Sequence, residues 1–121
     1  MISEYASEED FQDAVAHRAQ ALGWLVYHGR KSMQGDRHLT AVKYDGVGYV
    51  DLTLVHPAGW FLFLELKSHT GRFSDNQIKW RNAISSAAEH ASRVAYFTWK
   101  PKDWAEIEQV LATPRNHSLT S

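Results

Sequence analysis

The stretch Tyr49-Val50-Asp51-Leu52-Thr53-Leu54-Val55-His56-Pro57-Ala58-Gly59-Trp60-Phe61-Leu62-Phe63-Leu64-Glu65-Leu66-Lys67 decides the fold. From Tyr49 to Val55 the side chains alternate. Val50, Leu52 and Leu54 fall on one face and Tyr49, Asp51, Thr53 and Val55 on the other, as in a strand with one face buried. Pro57-Ala58-Gly59 has turn chemistry, and Trp60 to Lys67 reads as a second strand. Its Leu62, Leu64 and Leu66 share one face, and Phe61, Phe63, Glu65 and Lys67 the other. Together they predict an antiparallel hairpin.

Antiparallel pairing brings the start of the first strand to the end of the second, so Asp51, Glu65 and Lys67 gather at one end of the hairpin. Two carboxylates there make an all-oxygen site suited to a hard divalent ion, Mg2+ or Mn2+. Such a site suits phosphodiester hydrolysis, with Lys67 beside the attacked phosphate, orienting or polarising the water. Acidic and basic residues also alternate on solvated strand faces, and Asp with a downstream Glu-x-Lys arises by chance. The triad alone leaves both readings open.

Upstream, Phe11, Ala14, Val15, Ala19 and Leu22 recur at helical steps between Ser7, a candidate N-cap, and the stop at Gly23. Glu8 precedes Val15 by seven residues, which at 100° per residue leaves it about 20° from that core position. It is expected to point inward, whereas Glu9 is turned towards solvent, so Glu8 is the better third carboxylate. Favourable charge at a helix N-terminus is the competing reading of Glu8. Trp24-Leu25-Val26-Tyr27 follows as a short run of the kind that forms a buried strand.

Residues 28–48 have little periodicity and are expected to form a long loop, with a short strand near Leu39 to Val42. Between His28 and Tyr44 the loop carries Arg30, Lys31, Arg37 and Lys43 against Asp36 alone, a patch able to hold a DNA backbone or an ordinary solvated loop. Downstream, Ser74 and Gln77 have the spacing of a capping box, with Ile78, Trp80, Ile84, Ala87, Ala88 and Ala91 continuing a helix. Gln77 precedes Ile84 by seven residues, so its amide is aimed towards the strands, a role compatible with capping. Val94 to Trp99 reads as a last strand, and Pro101 opens a terminal helix with Trp104, Ile107, Val110 and Leu111 on its apolar stripe, ending before Pro114. The order helix, strand, strand, strand, helix, strand, helix is that of a mixed α/β domain.

With 121 residues and 44% hydrophobic residues, the chain fits one domain, expected over 1–113 with a polar tail at 114–121. The longest apolar run, Trp60 to Leu64, is far short of the roughly 20 residues of a membrane span, and no targeting signal is visible. Zero cysteines exclude thiol redox chemistry and a thiolate zinc site, and fit a cytoplasmic protein, nucleoid-associated if cellular. A formal net charge of −1 leaves contact with a polyanion to local patches. The seven histidines lack paired zinc spacing, although His69 follows the Glu-x-Lys strand closely enough to touch a phosphate. Trp24, Trp60, Trp80 and Trp104 read as packing residues rather than base-stacking ones. Gly46-Val47-Gly48 precedes a strand instead of opening a helix, so no nucleotide cofactor is expected.

In order along the chain, Ser7-Glu8-Glu9-Asp10-Phe11-Gln12, Gly23-Trp24-Leu25-Val26-Tyr27-His28, Val50-Asp51-Leu52 and Glu65-Leu66-Lys67-Ser68 resemble the VRR-NUC family, a branch of the PD-(D/E)xK nuclease superfamily. So do Gly71-Arg72-Phe73-Ser74 with Gln77 and Trp80, and Thr98-Trp99-Lys100-Pro101 with Asp103-Trp104. The resemblance runs from about residue 7 to residue 111. It implies a restriction-endonuclease-like mixed sheet of about four strands flanked by helices. It also implies Glu8, Asp51 and Glu65 as metal-site carboxylates, the backbone carbonyl of Leu66 facing the metal, Lys67 as catalytic lysine and Gln77 as its supporting glutamine. Val50 stands where the family usually has proline, and the segment from Lys31 to Gly48 is longer than in compact members.

The expected activity is a Mg2+- or Mn2+-dependent DNA endonuclease, with Arg30, Lys31, Arg37, Lys43, His69 and Arg72 on the DNA. A domain this small is expected to act as a homodimer. The resemblance implies preference for branched DNA such as four-way junctions. The alternatives are a non-catalytic DNA-binding module and a nuclease subunit that needs a separate specificity partner.

Overall fold

A computed structural model describes residues 2–3, 5–29, 32–34, 37–39 and 43–114. Helix α1 (Glu8–Ala21) begins where the Ser7 hydroxyl accepts the Asp10 N–H at 3.1 Å, and strand β1 (Leu25–His28) follows. A small antiparallel ribbon of β2 (Ser32–Gln34) and β3 (Arg37–Leu39) precedes the hairpin of β4 (Leu52–His56) and β5 (Trp60–Leu66). Helix α2 (Asp75–Ala88), strand β6 (Val94–Trp99), a 3-10 turn (Pro101–Asp103) and helix α3 (Trp104–Leu111) complete the order.

The main sheet has the order β1-β4-β5-β6, with β5 and β6 parallel and the other pairs antiparallel. Its helix and strand order is the expected one, so the mixed α/β architecture read from the sequence holds. The turn at Gly59 adopts φ +104°, which favours glycine, and its N–H reaches the His56 carbonyl at 2.9 Å. That tight connection sets the register in which Leu52 faces Leu64 and His56 faces Trp60.

Leu52, Leu54, Leu62, Leu64 and Leu66 are buried on one face of the sheet, against Phe11, Val15 and Ala19 of α1 and Ile107 and Leu111 of α3. The Trp24 indole donates to the Leu111 carbonyl at 2.9 Å and ties the start of β1 to the end of α3. Helix α2 lies on the opposite face, where it buries Ile84. No helix among the described residues is long and apolar enough to cross a membrane.

Three local expectations are corrected. The segment read as a loop carries the β2–β3 ribbon, and of the strand expected near Leu39 to Val42 only Leu39, the last residue of β3, lies among the described residues. The ribbon's strands are short and mostly polar, so no hydrophobic period betrays them, and Gly35-Asp36 between them was the only signal. Strand β1 is an edge strand rather than a buried one, with Leu25 74% and Tyr27 62% exposed. Ala91 lies beyond α2, which ends at Ala88. Arg30, Lys31 and residues 115–121 of the tail lie outside the described residues, as does the side chain of Arg37, whose backbone belongs to β3.

Candidate active site

Strand β5 outruns β4, and the site grows from that overhang. Pairing of the two strands begins at Leu52 and Leu64, so Leu66 and Ser68 have no β4 residue opposite them. On its other edge the chain stays tied to β6 through Lys67 N–H to the Trp99 carbonyl, 2.9 Å. The N–H groups left free on the β4 side are taken by carboxylates. Asp51 Oδ2 accepts from Leu66 N at 2.7 Å, and Glu8 Oε1 accepts from Ser68 N at 3.1 Å. A strand residue directs its N–H and its carbonyl to the same edge, so the Leu66 carbonyl points to the edge held by these two acids.

Glu65 sits between, on the face opposite the leucines, and is only 1% exposed. Its Oε1 accepts from Gln77 Nε2 at 2.9 Å, while its buried Oε2 has no hydrogen-bond partner. Burial, then the charge of Asp51 beside it, push the Glu65 carboxyl up to about 9, with Lys67 opposing the shift. Two neighbouring carboxylates, one of them buried with a bare oxygen, form an arrangement that a divalent cation relieves. The all-oxygen donor set fits Mg2+ or Mn2+. Among the described residues, no three acidic or histidine side chains close into a ready-made cage. Asp51 and Glu65 form the close pair, and Glu8 stands off on the Ser68 amide.

Lys67 is 6% exposed and donates from Nζ to Gln77 Oε1 at 2.9 Å, with the Phe73 ring centroid 5.3 Å away. Gln77 thereby bridges Lys67 and Glu65 through the two ends of one amide. The capping box fixes it, because Gln77 Oε1 also accepts from Ser74 N at 2.9 Å and Ser74 Oγ accepts from Gln77 N at 3.1 Å. The expected capping box is therefore present, and the same Gln77 side chain reaches both Lys67 and Glu65.

The structure brings Asp51, Glu65 and Lys67 to one end of β5, as the hairpin spacing predicts, places Gln77 and Glu8 beside them, and leaves Glu9 exposed. Lys43, His69 and Arg72 are exposed. His69 stacks at a tilt on Tyr5 with centroids 5.8 Å apart, and its carbonyl accepts from Lys100 Nζ at 3.4 Å. Sequence reasoning missed two glycines. A Cβ at Gly71 would lie 2.6 Å from Glu8 Oε1 and 3.2 Å from Lys67 Cδ. Gly48, at φ +90°, is pressed against the first turn of α2, where a Cβ would come within 2.9 Å of Gln77 N. Close approach leaves no pattern in side-chain chemistry, although a glycine midway between Lys67 and Ser74 was the available hint.

No protein-family model matches the sequence, and no curated protein matches it. A solved structure described as "VRR_NUC domain" is similar, with a TM-score of 0.53 and 20% identity over 88% of this chain and 95% of that one. The chain has the VRR_NUC fold. At that identity the likeness speaks for the architecture, and the chemistry of this VRR_NUC-type domain rests on its own residues.

Proposed function

We propose that this chain is a VRR-NUC family nuclease, a divalent-metal-dependent endodeoxyribonuclease that hydrolyses phosphodiester bonds at the end of β5. The observation that carries the reading is half-buried Asp51 beside buried Glu65, with Glu65 Oε2 unpartnered, next to a lysine held by an amide that touches both Lys67 and Glu65.

Asp51, Glu65 and Glu8, with the Leu66 carbonyl, would hold Mg2+ or Mn2+, which when bound lowers the pKa of water and neutralises charge on the phosphate and the leaving oxygen. Lys67 supplies a fixed positive charge beside the phosphate and orients the attacking water. Gln77 positions Lys67 and Glu65 relative to each other. In the reaction the water oxygen bonds to phosphorus, the bond to one sugar oxygen breaks, and that oxygen leaves with a proton. Lys43, His69 and Arg72 are exposed cations or potential cations for the flanking backbone, joined by Arg30, Lys31 and Arg37 from the basic segment.

Branched DNA, four-way junctions among it, and a homodimer that presents two sites remain part of the proposal on family resemblance. The test is a cleavage panel of duplex, single strand, flap and four-way junction with Mg2+ or Mn2+. Cleavage is expected with either ion, to vanish on chelation, and to fall at least about 100-fold in Asp51→Ala and Lys67→Ala. Undiminished cleavage in both folded variants sinks the assignment. DNA binding without hydrolysis under every condition would instead favour a non-catalytic module.

A further inference from the structure

A groove opens beside the carboxylate pair on the same face of the sheet. Tyr27, Thr53 and Phe63 are register partners in one row across β1, β4 and β5. Asp51 and Glu65 occupy the next row, two residues and so about 7 Å further along. Over the Tyr27 and Thr53 end stand residues 43–49 and Trp80 of α2. The Trp80 indole donates to the Asp45 carbonyl at 2.8 Å, the Tyr49 ring meets Trp80 edge-on with centroids 4.8 Å apart, and Tyr49 Oη lies 2.7 Å from Thr53 Oγ1. These contacts hold open two adjoining hollows of about 300 and 590 Å³ that share Tyr44, Asp45 and Trp80.

The walls are aromatic and basic. Tyr44 is 97% exposed and held at φ +60° in a turn closed by Gly46 N to the Lys43 carbonyl, 3.2 Å. A bulky side chain in the left-handed region is strained, and this one gains no packing in return. Lys43 and Lys79 line the hollows, and Asp45 is the one acid among the lining residues. Aromatic faces between cations recognise flat rings joined by phosphates, and only an unpaired base offers its face.

We propose that this groove takes an unpaired nucleobase of the DNA strand flanking the attacked phosphate, stacked against Tyr44 and Trp80 with its backbone on Lys43 and Lys79. The substrate class is then DNA with a single-stranded stretch beside the cut. The inference rests on the nuclease reading, so its test is made without cleavage.

Fluorescence anisotropy in EDTA would compare a labelled thymidine strand, an abasic strand of equal length and a blunt duplex, for the wild type and for Tyr44→Ala. Tyr44 is almost fully solvated, so the variant is expected to fold. The wild type should bind the thymidine strand at least about tenfold more tightly than the abasic one. Tyr44→Ala should erase most of that preference and leave duplex affinity unchanged. Equal wild-type affinity for the two strands, or a preference that survives Tyr44→Ala, overturns the proposal. A parallel cleavage assay separates the two readings. Base preference without hydrolysis of any substrate strikes the nuclease assignment, whereas duplex cleavage without base preference strikes the groove alone.

Discussion

The two faces of the β4–β5 hairpin are built from alternate residues of the same strands, yet they do opposite work. On one face Leu52, Leu54, Leu62, Leu64 and Leu66 are all within 2% of complete burial. On the other, Val55 and Phe61 are each 38% exposed, while Glu65 and Lys67 are buried at the end where α2 begins. The leucine face buries apolar surface and stabilises the fold. The opposite face leaves apolar surface in water and encloses charge, both of which cost stability. A period of two lets one hairpin carry both, because neighbouring residues never share an environment.

The comparison breaks hardest at Leu64. Leu64→Ala opens a cavity in a fully buried position and is expected to cost about 2 to 5 kcal/mol in urea unfolding. Activity per folded molecule should survive, since Leu64 points away from Glu65. Equal loss of stability and of specific activity would mean that the faces are not separable.

The pH response of the metal-free protein probes the other face. With the Glu65 carboxyl raised from 4.5 to about 9, the native state holds a proton between those values that the unfolded state has lost. Its contribution is therefore fully present below pH 4.5 and is lost as pH rises towards 9, with a slope of at most about 1.4 kcal/mol per pH unit. Glu65→Gln keeps the bond partners without the charge. It should become the more stable protein above neutral pH in EDTA, and the gap should close towards pH 5. Parallel stability curves for the two proteins would show that Glu65 is not the group responsible.

Much of this division is legible in the sequence, and the reason is geometric. Alternation names both faces from Tyr49 to Lys67, and helical phase separates Glu8 from Glu9 because 100° per residue is a strong filter within one turn. What the sequence hides lies in the backbone. The Leu66 and Ser68 amides that hold Asp51 and Glu8 have no side-chain signature, and Gly48 acts through close approach alone. Trp80 misleads for a related reason. Its helical phase suits a core, but the indole is only half-buried and its N–H donates to the Asp45 backbone carbonyl, so the ring lines a groove.

Gly48→Ala sharpens the comparison at the joint between the faces. At φ +90°, with Asn76 and the Gln77 amide in the way, the added methyl is expected to cost about 1 to 3 kcal/mol and to shift the first turn of α2. Cleavage should fall by more than the folded fraction does, because Gln77 bridges Lys67 and Glu65. A pure stability loss would show that the helix start tolerates displacement without disturbing the site.

The smallest effect is the most direct comparison of the two faces. Val50 is 4% exposed and Val55 is 38% exposed, and both lie on or beside the same strand. Val→Thr swaps a methyl for a hydroxyl at nearly constant volume, so the shape of the site is left alone and only solvation changes. At Val50 the hydroxyl enters the core and is expected to cost about 1 to 3 kcal/mol. At Val55 it reaches water, and the change should stay within about 0.5 kcal/mol. Urea midpoints with unchanged slopes read the difference. Equal shifts at the two sites would mean that Val55 is covered in solution, and the open face would then need an occupant of its own.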